Sequence, residues 1–243
     1  MRHLASLTMI VCAVLVVSAG ALTLRALELP PVAHYSSIYP PPVGFVLDRT
    51  SEFAKLRFDG TEEILVLRWQ PAAGGMRNLL RDDGALVLRI SGLGGVTLFT
   101  DQNQAGIPVA NDARANPLGS PAPPSIEYVR QIAGQIMGQL RAETGREIIF
   151  EANWNEAARD PGARAILFDA VRNAGTALFN MARTPQGRIG LINYLRRVRF
   201  VRGAMATTTV QGDMLIVMFS VEQGLAGRLS SYAIRGRLNQ LMR

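Results

Sequence analysis

The chain has 243 residues, 48% of them hydrophobic and 19% charged, which supplies enough apolar material for a buried core and excludes wholesale disorder. Lys and Arg number 26 against 19 Asp and Glu, a formal charge of +7, and Lys55 is the single lysine. One cysteine (Cys12) and two histidines (His3 and His34) are too few for Cys-His dyads or three-histidine metal sites in any exported part of the chain.

Met1-Arg2-His3 is a short basic start, and Leu4 to Leu24 is free of charge. Ala19-Gly20-Ala21 places small residues where a signal peptidase reads, so residues 1–21 read as a signal peptide cut after Ala21. A retained membrane anchor is the alternative, because about 20 apolar residues suffice to span a bilayer. In both cases the remainder is expected outside the cytoplasm, periplasmic or secreted. It then holds no cysteine for a disulfide and one histidine, His34, so neither a metal nor a cofactor is expected.

Residues 22–42 carry Pro30, Pro31, Pro40, Pro41 and Pro42 and read as a proline-rich tether. Residues 43–110 read as an antiparallel β domain, a small sheet or barrel of six short strands near Gly44–Arg49, Lys55–Phe58, Glu63–Gln70, Arg77–Arg81, Ala85–Ser91 and Val96–Thr100. Asp59-Gly60 and Asp83-Gly84 are turn dipeptides, the second between two apolar runs as a hairpin requires. The acidic pairs Glu62-Glu63 and Asp82-Asp83 flank these turns and are assigned to solubility. Residues 111–125 hold four prolines, no aromatic and no β-branched residue, and read as a linker.

Beyond it the period changes. Ile126, Val129, Ile132, Ile136 and Leu140 share one helical face, with Ser125 as cap, and Gly134 and Gly138 suggest that another element approaches closely. Ile148–Ala152 reads as a strand, Asp160-Pro161 opens a second helix, and a shorter helix follows Pro185. A strand at Val198–Arg202, a hairpin about Gly212-Asp213 and a helix over Leu225–Met242 complete residues 126–243. The fold class is α+β, with C-terminal helices on a mostly antiparallel sheet.

Residues 43–110 hold seven basic and eight acidic residues, a net of −1, whereas residues 126–243 hold 16 arginines and nine acidic residues, a net of +7. Arg188, Arg196, Arg197, Arg199 and Arg202 fall in one stretch with no acid among them. Such guanidinium forks suit phosphate and carboxylate. The other chemical candidate is the run Glu151 to Glu156. Two carboxylates beside Trp154 make up the parts of a glycan-cleaving site: an acid, a base and an aromatic face.

Leu56-Arg57-Phe58, Ile64-Leu65-Val66-Leu67, Pro71-Ala72, and Leu88-Arg89 through Gly94-Gly95-Val96-Thr97-Leu98-Phe99 resemble an uncharacterised family of exported proteobacterial proteins. Gly227-Arg228-Leu229-Ser230-Ser231 is similar to that family's closing helix, while Gly74-Gly75-Met76 departs from the polar turn expected there. The resemblance implies export and brings no functional residue. The expected function is non-enzymatic: an envelope-associated binding or structural protein whose arginine-rich face meets a lipid head group, lipopolysaccharide or wall polymer. The alternatives are glycan cleavage by Glu151 and Glu156, or a module for an envelope protein that docks on edge strands of the β domain. Export argues against nucleic acid as the partner.

Overall fold

A computed structural model describes residues 29–241 apart from 38, 41, 120 and 121. The expected signal peptide, residues 1–21, lies outside the described residues. Among the described residues no helix is long and apolar enough to cross a membrane.

Eight antiparallel strands close into an up-and-down barrel: β1 (Val32–Ser37), β2 (Gly44–Asp48), β3 (Ala54–Phe58), β4 (Leu65–Pro71), β5 (Arg77–Leu80), β6 (Leu86–Ile90), β7 (Val96–Thr100) and β8 (Asn103–Arg114). The six expected strands are present. Two more come from segments that composition assigns elsewhere. Residues 32–37, read as tether, form β1, whose Ala33, Tyr35 and Ser37 alternate into the interior while His34 and Ser36 face out. Residues 111–114, read as linker, finish β8, which pairs with β1 from Ala33↔Arg114 to Ser37↔Val109. Closure leaves the barrel no free edge, so the edge-strand docking expected for a protein partner has no place there. Tyr35, Phe45, Leu56, Leu88 and Leu98 are fully buried and fill the lumen, with Tyr35 and Phe45 stacked at 5.5 Å.

Beyond β8 the linker is held to the barrel at Leu118. Asp48, fully buried at the end of β2, accepts hydrogen bonds from the Leu118 N–H at 2.8 Å and from the Thr50 N–H and hydroxyl at 2.9 and 2.6 Å. It also pairs with Lys55 Nζ at 2.8 Å, and Lys55 donates to the Leu118 carbonyl. The chain's single lysine is thus used to dock the connecting segment. Burial opposes the charge on Asp48, but Lys55, Thr50 and Leu118 outweigh it and hold the carboxyl below its ordinary range.

The second unit runs α1 (Ile126–Thr144), β9 (Ile149–Ala152), α2 (Trp154–Arg159), α3 (Pro161–Ala182), α4 (Pro185–Tyr194), β10 (Arg197–Arg202), β11 (Thr207–Gln211), β12 (Met214–Phe219) and α5 (Ser231–Leu241). Ser125 caps α1 and Asp160 caps α3, each accepting from backbone N–H groups of the first turn. The strand order is β11-β12-β10-β9. The α+β class holds, but the second sheet is not mostly antiparallel: β10 runs parallel to both β9 and β12, and only β11 opposes β12. The helices between β9 and β10 return the chain to the same sheet end, which a parallel pair requires and apolar periodicity does not encode.

Gly134 and Gly138 do not mark a close approach, since an added Cβ at either would meet nothing within 4 Å. The tight crossing of α1 and α3 is at Gly175, where a Cβ would lie 2.8 Å from Ile136 Cδ1. Replacing Gly134 or Gly138 with alanine is therefore expected to stabilise the fold by about 0.5–1 kcal/mol each. Gly175→Ala should destabilise it, and thermal melts of the three variants check both directions.

The closing helix begins at Ser231 rather than Leu225, because Gly224–Gly227 makes a short 3-10 turn first. Its amino end lies on the barrel end formed by the β3–β4, β5–β6 and β7–β8 connections. The Asp82 carboxylate accepts from the Ser230 N–H at 2.7 Å and its hydroxyl at 2.6 Å, and Glu63 accepts from the same two groups of Ser231. Arg235 pairs with Asp101, and Arg81 lies 3.7 Å from the Tyr232 ring. Glu63 and Asp82 are consequently not solubility residues; burial pushes both carboxyls up from their ordinary values.

Candidate functional site

Glu151 is the penultimate residue of β9, Asn153 caps α2 and Glu156 stands on its first turn, so the expected pair of carboxylates reaches one cleft. The cleft measures about 490 Å³ and opens at the carboxyl ends of β9, β10 and β12, the usual position for ligands in parallel sheets. Its floor is apolar, with Ala163, Leu167, Phe200 and Phe219, and Arg199 and Arg202 stand at its wall. Glu151 accepts from Arg199 Nε at 2.8 Å. Asn153 Nδ2 donates to Glu156 at 2.9 Å. Arg202 bonds Asp160 at 3.0 Å and Glu222 at 2.7 Å, and reaches Glu156 at 4.0 Å.

Both guanidiniums of the cleft are therefore engaged by carboxylates. Asp160 is held below its ordinary range, first by the Ala163 N–H and then by Gly162 and Arg202. Glu222 is lowered chiefly by its bond from Arg202. Trp154 does not line this cleft. Its ring packs against the apolar core with Arg130 5.9 Å above it.

The five arginines separate into two groups. Arg197 pairs with Asp213, Arg199 with Glu151, and Arg202 with Asp160 and Glu222. Among the described residues Arg188 and Arg196 bind only neutral carbonyls: Arg188 that of Ala182, Arg196 those of Ile192 and Leu195. The two therefore cap helix ends and keep an unmatched charge.

A cluster that no local sequence signal marks lies on the outer wall of the barrel. His34 Nδ1 is 2.6 Å from Asp112 and Nε2 is 2.9 Å from Asp59, while the Ser36 hydroxyl donates to Asp112 at 2.5 Å. Both ring nitrogens face carboxylates, which favours the imidazolium and raises its pKa, through Asp112 first and Asp59 second. Among the described residues no group of three or more His, Cys, Asp and Glu is arranged to hold a metal ion. The cluster instead joins β1 to β8 and to the β3–β4 turn. A raised folded pKa means that its stabilisation is complete below the unfolded value of 6.5 and declines as pH rises through the folded one. The melting temperature is expected to fall over that window in the native protein, and His34→Gln should remove this component.

No match is found among curated proteins or among solved structures. A family model described as "Domain of unknown function (DUF4908)" matches residues 17–238, most of the chain, and the protein therefore belongs to that family.

Proposed function

We propose that the protein is a non-enzymatic binding protein of the cell envelope, exported after cleavage behind Ala21, which meets an anionic partner through arginines of residues 126–243. The observation that carries this reading is the unmatched charge of Arg188 and Arg196, in a region with 16 arginines and nine acidic residues. Each guanidinium has five N–H donors and spends one or two of them on carbonyls, which leaves the others for phosphate or carboxylate. The position of Trp154, whose ring packs on the apolar core and does not line the cleft, weighs against glycan cleavage by Glu151 and Glu156.

The test is co-sedimentation of the purified protein with phosphatidylglycerol vesicles, with lipopolysaccharide and with cell-wall sacculi, each at low and high salt. Pelleting with one of them that salt abolishes is expected, because exposed charges are screened beyond about 10 Å at 0.1 M. Arg188→Gln with Arg196→Gln should weaken it, and Arg197→Gln should not. No pelleting at low salt with any of the three would overturn the reading.

A further inference from the structure

A hollow of about 550 Å³ opens at the barrel end that α5 covers. Tyr39, Val43, Phe58, Ile107, Pro108 and Tyr232 supply its apolar wall, and among the described residues no charged side chain lines it. Such a volume falls within the roughly 300–1,000 Å³ of small-molecule sites. The barrel lumen is packed solid, so a guest can lie at the mouth and not inside.

A second hollow of about 370 Å³ adjoins the first across Phe58, Thr61 and Tyr232, which line both. Its far side is polar, with Thr176, Asn180 and four charged groups: Glu62, Glu63, Arg172 and Arg183. Three of these are committed. Arg172 pairs with Glu62, and Glu63 accepts from Ser231. Arg183 closes α3 with its backbone N–H, and among the described residues its guanidinium has no carboxylate partner. The two hollows together offer an uncharged apolar compartment and, next to it, one uncommitted cation.

We propose that this pair of hollows binds a single-chain amphiphile with a carboxylate head, a long-chain fatty-acid anion. The tail lies in the barrel-mouth hollow between Val43, Ile107 and Tyr232, and the head meets Arg183. A guanidinium fork matches a carboxylate geometrically, and the absence of charge along the apolar wall lets a hydrocarbon chain displace water without stranding an ion. Neither Arg188 nor Arg196 lines either hollow, so Arg196→Gln should leave this binding unchanged.

The test is a fluorescence titration of the purified protein with cis-parinaric acid, followed by displacement with palmitate and with hexadecanol. Saturable binding at one site is expected. Arg183→Gln should weaken palmitate by about tenfold, the equivalent of one modest ion pair, and leave hexadecanol unaffected. Thr61 is exposed and lines both hollows, so Thr61→Trp should fill their junction and weaken both competitors with no change in melting temperature. Non-saturating uptake of the probe would overturn the proposal, as would wild-type affinity in both variants. Preference for a lysophospholipid over palmitate would overturn the carboxylate head.

Discussion

Replacing Asp48 with alanine is expected to lower the free energy of unfolding by about 3–5 kcal/mol in chemical denaturation, the range seen when one partner of a buried ion pair is removed. The substitution leaves Lys55, only 13% exposed, without its carboxylate and strips the acceptor from the Leu118 N–H. Asp48→Asn keeps an acceptor in place and should cost less. The sign of the pH effect follows from the depressed folded pKa: the contribution is present above the unfolded value of 3.8 and disappears as pH falls through the folded one. Acid should therefore loosen this end of the barrel first.

The opposite end should respond in the opposite sense. Combining Glu63→Ala with Asp82→Ala removes the acceptors of two backbone N–H groups and two hydroxyls at the start of α5, each orphaned group costing about 1–3 kcal/mol where it stays buried. Both carboxyls have folded pKa values raised by burial above the unfolded 4.5 and 3.8, so the native state binds more protons than the unfolded one between those values and the folded ones. Stability contributed here is greatest below that window and falls as pH climbs through it. Glu63→Gln with Asp82→Asn should flatten the dependence of melting temperature on pH across the window. A double amide variant with the native slope would show that these two groups do not set it.

Most elements of the fold were legible where side chains state their environment directly. Alternation in Leu86–Ile90 marks a strand, although Val87 is buried as well as Leu88 and Ile90, and the i+3/i+4 spacing from Ile126 to Leu140 marks a helix because it reflects one buried face. β1 and β8 were not legible for the same reason. β1 buries only Ala33, Tyr35 and Ser37 beside proline-rich flanks, and β8 is exposed over most of its length, with Gly106 and Pro108 inside it. Their evidence is mutual pairing, which neither segment carries alone. The same limit governed the sites. Glu151, Glu156, Arg199 and Arg202 were picked out by local density and do share a cleft, yet the partner of each charge lies on another element, as with Arg202 and Glu222. The environment of Ser230-Ser231 was hidden in Glu63 and Asp82, about 150 residues earlier.

Closure of the barrel also constrains the order in which the chain can fold. The hairpins from β1 to β8 join neighbours in sequence and can form as each is completed, but the closing pairing of β1 with β8 has to wait: the His34–Asp112 bond spans 78 residues. Loop-closure entropy makes such a distant pairing late and slow. Until residue 114 is free, one edge of the first strand stays unpaired and the cylinder stays open. Under the proposed export, with the chain threaded through a translocation pore from its amino end, that delay would favour passage, since the barrel cannot lock while its last strand is still on the other side.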